Sequence, residues 1–149
     1  MVWLVAWVVA SGCGGSDESL SREDYQASIA DLVQDSAEPT ELHTELVLMP
    51  RSPEECTSML AAFEEQVGDL VERVAELRPP APVQDAHDDF VAAARRSVGR
   101  IHAVRDDVAA GKVSCGDELN RLLSGMPSAR KAERAIARLE RRGYVVFGQ

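Results

Sequence analysis

The chain has 149 residues, which is room for one domain. Aromatic residues make up 5% of it and charged residues 28%, a balance that favours helices packed through Leu, Val and Ala over a β-sandwich. The formal net charge of −9 argues against nucleic acid as a partner, because that affinity comes mainly from cations neutralising phosphates.

The N-terminus carries an address. Residues 1–13 read MVWLVAWVVASGC, and the run from Val2 to Ala10 is unbroken and apolar. A membrane-spanning helix needs about 20 apolar residues, whereas a secretory h-region needs only about 7–15, so the run fits export. The small residues Ala10, Ser11 and Gly12 lead directly into Cys13, and Gly14, Gly15, Ser16, Asp17, Glu18 and Ser19 have the composition of a flexible linker.

These residues resemble the lipobox of bacterial lipoproteins, in which a small residue precedes a Cys. The pattern departs from the family at Ala10, where Leu is usual, and no Lys or Arg precedes the apolar run. The resemblance implies a signal peptide over residues 1–12 and a diacylglycerol on the thiol of Cys13. It further implies a tether over 13–20 and a folded domain over 21–149. The partner it implies is a membrane, with the domain on the extracellular or periplasmic side.

Four helices are expected after the tether. The first starts near Ser21, with Ser21 and Asp24 as a capping pair and Tyr25, Ile29 and Leu32 at helical spacing. Residues 37–51 lack a clean period and fit a short helix or a loop equally. The second helix is signalled by Ser52-Pro53-Glu54-Glu55, a capping box with Pro at the first helical position. Cys56, Leu60, Phe63, Val67, Leu70, Val74 and Leu77 then form an apolar stripe. The prolines at 79, 80 and 82 end that helix.

The third helix is expected from about Pro82, with Val83, His87, Phe90, Ala94, Val98, Ile101, Val104 and Val108 facing inward and Gly111 as its C-cap. Ser114-Cys115-Gly116-Asp117 opens the fourth with a capping-box pattern, and Gly125 and Pro127 predict a kink or break in it. Tyr144, Val145, Val146 and Phe147 are expected to fold back on the domain. The fold class read from these signals is all-α, an antiparallel four-helix bundle in up-down-up-down order.

The three cysteines fit this plan. If Cys13 carries lipid, Cys56 and Cys115 remain as a pair in an oxidising compartment, which predicts a disulfide. Short connections make helices two and four run in the same direction, so both thiols fall at one end of the bundle.

Charge is divided along the chain. Residues 14–94 carry 19 Asp and Glu against 4 Lys and Arg, whereas residues 95–149 carry 6 against 12. The two halves are expected to fold against each other and partly neutralise; the alternative is a basic C-terminal helix that contacts an anionic surface.

Chemical motifs are sparse. His87 lies on an inner face near Asp85, Asp88 and Asp89, and is read as a structural histidine ahead of a metal ligand or proton carrier, since a site needs several convergent ligands. His102 and Asp106, four residues apart, are read as a surface pair ahead of two ligands. His43 has no evident partner. No Glu-x-x-His, His-Glu-x-x-His, Gly-x-Ser-x-Gly or phosphate-cradling Gly loop occurs.

The layout as a whole resembles small actinobacterial lipoproteins of uncharacterised function. Leu77-Arg78-Pro79-Pro80, Ala86-His87 and Phe90 contribute to the likeness. The function expected is therefore a binding or structural module of the cell envelope, with no catalytic residue, no metal and no cofactor, and an envelope protein as a possible partner. The alternatives are a carrier holding an apolar ligand between helices and, behind it, a metal-dependent enzyme built on His87 or His102.

Overall fold

The structure is a computed structural model that describes residues 19–35, 41, 43–46 and 52–144. Cys13, the apolar leader, most of 37–51 and residues 145–147 lie outside the described residues. Those described are all-helical: α1 (Arg22–Asp35), α2 (Pro53–Ala75), α3 (Gln84–Ala109), α4 (Asp117–Ser124) and α5 (Pro127–Arg141). Among them, no helix is long and apolar enough to cross a membrane.

α1 begins where the sequence places it. The Ser21 hydroxyl accepts from the Asp24 amide at 3.1 Å and donates to Asp24 Oδ2 at 2.7 Å, which satisfies one of the orphan amides of the first turn. Tyr25, Ile29 and Leu32 are buried along it. Within 37–51, residues 43–46 are helical, and Leu46 is buried beside Cys56 and Leu60.

α2 carries the full capping box. The Glu55 amide donates to Ser52 Oγ at 3.2 Å and the Ser52 amide donates to Glu55 Oε2 at 3.1 Å, with Pro53 at the first helical position. Its stripe is only partly buried. Cys56, Leu60 and Val74 are enclosed, whereas Phe63, Val67, Leu70 and Leu77 are half-buried and Val71 is buried instead. α3 is the main neighbour of α2, and α1 reaches it only near Val74.

α3 is preceded by a 3-10 turn at Ala81–Val83, closed by the Val83 amide on the Pro80 carbonyl at 2.9 Å, so regular helix starts at Gln84 rather than at Pro82. Gly111 follows its end at φ +69°, as a C-cap glycine should. The inner face differs from the expected one: Ala86, Val91 and Ala93 are buried along with His87, Ala94, Ile101, Val104 and Val108, while Phe90 and Val98 are half-buried. The cause is position. α3 packs against both α2 and α5 and so buries a wider arc than a single seam.

The fourth helix is broken into α4 and α5 at Gly125-Met126-Pro127, with Pro127 in the first turn of α5. The capping pattern read at Ser114 and Asp117 does not form. Gly116, at φ +98°, is the residue before α4, and Ser114 instead bonds Glu118 Oε2 through its amide at 2.9 Å and its hydroxyl at 2.7 Å. Those bonds hold the Glu118 carboxyl below its ordinary value.

Cross-helix pairs show the directions. Glu72–Arg95 and Glu64–Arg105 step in opposite senses along α2 and α3, as do Asp89–Arg138 and Ser97–Ser128 along α3 and α5. Both helix pairs are therefore antiparallel. A Cβ at Gly68 would stand 3.9 Å from Val98, an ordinary contact distance, so the packing of α2 on α3 does not require glycine there.

The core has two ends. One gathers Leu46, Cys56, Leu60, Ile101, Val104, Val108, Leu119, Leu123 and Met126. The other gathers Tyr25, Ile29, Val83, Ala86, Leu139 and Tyr144. Leu32, Val74 and Val91 form a smaller cluster.

Candidate functional site

The structure joins Cys56 to Cys115, with Cα atoms 6.4 Å apart. Cys56 sits in the first turn of α2 and Cys115 two residues before α4, at the end of the molecule where α3 finishes.

His87 is buried at the opposite end. Its Nδ1 lies 3.0 Å from the Tyr25 hydroxyl, and the two rings meet edge to face. Burial lowers the His87 pKa, with the Asp88 charge opposing, and pushes the Tyr25 phenol up to about 12, helped by Tyr144 and Asp88. A neutral imidazole accepting from a neutral phenol fits these directions. The pair fills a packed end of the core, as the structural reading of His87 expects.

His102 belongs to a surface cluster larger than the expected pair. Its Nδ1 is 2.9 Å from Glu64 Oε1, its Nε2 is 3.5 Å from Asp106, and Arg105 reaches Glu64 Oε2 at 2.7 Å. Glu64 on α2 was not anticipated, because a contact between helices leaves no trace in sequence spacing. The His43 ring, left without a partner by the sequence, lies 5.7 Å from that of Phe63. Among the described residues, no group of three His, Cys, Asp or Glu side chains is placed to hold a metal ion.

The divided charge has two fates. Arg95 bonds both carboxylate oxygens of Glu72 and holds that carboxyl below its ordinary value; Arg105 takes Glu64 and Arg138 takes Asp89. In this way the basic part of the chain is partly neutralised by the acidic part.

Several cations of α5 gather with Arg96. An open groove of about 590 Å³ between α3 and α5 is lined by Arg96, Lys131, Arg134, Arg138 and Arg141, with Asp89 as its one carboxylate. A second groove continues past Pro82 and Asp85 to Arg138, Arg141 and Arg142. The signal for this was in the sequence. At 3.6 residues per turn, Arg130, Lys131, Arg134, Arg138, Arg141 and Arg142 fall within about one third of the circumference of α5. Glu133 and Glu140 lie on the other side of its apolar stripe, which is marked by the buried Ala135 and Leu139.

The two ends of the described chain meet beside these grooves. The Leu20 amide donates to the Arg78 carbonyl at 2.8 Å. The Arg22 guanidinium donates to the Gly143 carbonyl at 3.0 Å and lies 5.1 Å from the centre of the Tyr144 ring. The chain therefore enters the domain next to the C-terminal end of α5.

No family model, curated protein or solved structure matches the chain.

Proposed function

We propose that the chain is a lipid-anchored module of a bacterial cell envelope, held to the outer face of the membrane by lipid on Cys13 and serving a binding or structural role there. The observation that carries the reading is the cysteine arrangement. Cys56 and Cys115 are joined at one end of the domain, which leaves Cys13 alone behind a nine-residue apolar run and small residues. A disulfide and a lipidated cysteine both require export, so each supports the other. The up-down-up-down order, with α4 and α5 as a broken fourth arm, belongs to the same reading and is supported by the antiparallel pairs of α3 with α2 and with α5. The reading assigns no catalytic residue and no cofactor, and takes an envelope protein as a possible partner alongside the membrane.

The test is expression of the full chain in a bacterium, followed by membrane fractionation and mass spectrometry of the mature N-terminus. The expected result is a protein that begins at Cys13, bears a diacylglyceryl group and loses membrane association as Cys13→Ala. A Cys13→Ala chain processed and membrane-bound like the original would overturn the anchor.

A further inference from the structure

We infer that the cationic face of α5 and the adjoining edge of α3 is a docking surface for anionic lipid headgroups, and that it seats the domain on the membrane to which it is tethered. Three observations carry this.

The first is chemistry. Arg96, Lys131, Arg134, Arg138 and Arg141 line one open groove, and all but the half-buried Arg138 are exposed. Asp89 is bonded to Arg138, so four cations there face solvent around one neutralised pair. Guanidinium groups bind phosphate oxygens through paired N–H donors, which suits a phosphodiester headgroup.

The second is shape. The basic stripe from Lys131 to Arg141 covers ten helical steps, about 15 Å at 1.5 Å per residue. It is a line of charge along a surface helix rather than a closed pocket, and a line fits a plane of headgroups better than one small anion.

The third is position. The chain enters at Leu20 and Arg22, beside Gly143 and the C-terminal end of the stripe. Six steps of chain separate Cys13 from Ser19, a reach of about 20 Å when fully extended. A domain on so short a lead keeps its entry end near the bilayer, and the stripe runs along α5 from that end. Cations held close to a bilayer add attraction to anionic headgroups beyond what the acyl chains supply.

The positional argument rests on lipidation of Cys13; the chemistry and shape do not, and the test separates them. The full chain carrying Cys13→Ala, which cannot be lipidated there, is mixed with vesicles of phosphatidylcholine alone or with one third phosphatidylglycerol, and binding is read by flotation. Binding is expected on the anionic vesicles, with loss of at least about tenfold on the neutral ones and in 0.5 M salt, where screening shortens the reach of charge. The triple variant Lys131→Glu/Arg134→Glu/Arg141→Glu, in the same background, is expected to lose at least about tenfold in binding while keeping its helical circular dichroism and melting temperature. Arg138 is left intact so that its bond to Asp89 is undisturbed.

Equal binding to both vesicle types, or a folded triple variant that binds like its parent, would overturn the inference, since insertion of the apolar leader is indifferent to headgroup charge. Binding to a soluble acidic polypeptide without binding to anionic vesicles would overturn it too, in favour of a protein partner. Anionic-vesicle binding that persists when mass spectrometry finds no lipid on Cys13 would leave this surface standing and remove only the anchor.

Discussion

The Tyr25 hydroxyl and Nδ1 of His87 lie 3.0 Å apart, in a bond that ties α1 to α3 across a buried end of the core. Both groups are neutral there, and each is polar enough that losing its partner exposes a desolvation cost. Tyr25→Phe is expected to lower stability by about 1–3 kcal/mol, the range for leaving a buried polar group unpaired, as read by urea unfolding.

The same pair gives the fold a pH dependence. His87 is depressed below its ordinary value of 6.5 in the folded state, by burial first and against the opposing Asp88 charge. Below pH 6.5 the unfolded chain takes up a proton that the folded chain refuses, so this contribution is full above pH 6.5 and declines as pH falls through the folded value. Melting temperature should drop between pH 7 and pH 5.5, and His87→Gln should flatten that slope. At the alkaline side Tyr25, raised to about 12 by burial first, should ionise late in an ultraviolet titration, and Tyr25→Phe should remove that late step.

Cys56 and Cys115 enclose a loop with a sequence separation of 59. In the chain-entropy treatment a bridge across such a loop stabilises the fold by about 4 kcal/mol. Reduction, or Cys56→Ser with Cys115→Ser, is expected to lower the melting temperature by about 10–20 °C. An oxidised sample that melts no higher than the reduced one would contradict this.

Two glycines offer a matched comparison. Gly111 and Gly143 both have positive φ, +69° and +81°. A Cβ at Gly111 meets open space, whereas at Gly143 it would stand 2.7 Å from the Arg22 guanidinium. Gly111→Ala should cost about 1–2 kcal/mol from the left-handed backbone alone. Gly143→Ala should cost about 1 kcal/mol more, because Arg22 must also leave the carbonyl it caps, a bond to a charged donor. In an Arg22→Ala background the two substitutions should cost the same, a double-mutant cycle that isolates the cap.

Ser52→Ala removes half of the capping box on α2, and is expected to cost about 1 kcal/mol in chemical denaturation.

The sequence was most legible where one local signal settles one local structure. Ser52 with Glu55, Gly111 after α3 and Pro127 at the head of α5 act within a turn of where they stand, and the structure follows them. It was least legible where partners set the outcome. Phe63, Val67 and Leu70 are as apolar as Cys56 and Leu60, yet they are only half-buried, because enclosure depends on which partners each position meets and spacing does not record those. His87 was readable as an inward-facing histidine, but its bond to Tyr25 joins residues 62 apart and left no spacing to find. Glu64 beside His102 was hidden for the same reason. The basic stripe of α5 was periodic all along, and only the burial of Ala135 and Leu139 shows which way it turns.

The meeting of Arg22 with Gly143 also sets how the domain would bear a mechanical load. Force arriving along the N-terminal lead would act first on the Leu20–Arg78 bond and the Arg22 cap, then peel α1 from Val83 and Ala86. The stretch from Cys56 to Cys115 would not lengthen, because its ends are joined on the far side of the molecule. Under tension the domain would therefore give up α1 and its seal at the C-terminal end while α2 and α3 stayed looped together, a release that yields slack without surrendering the centre of the fold.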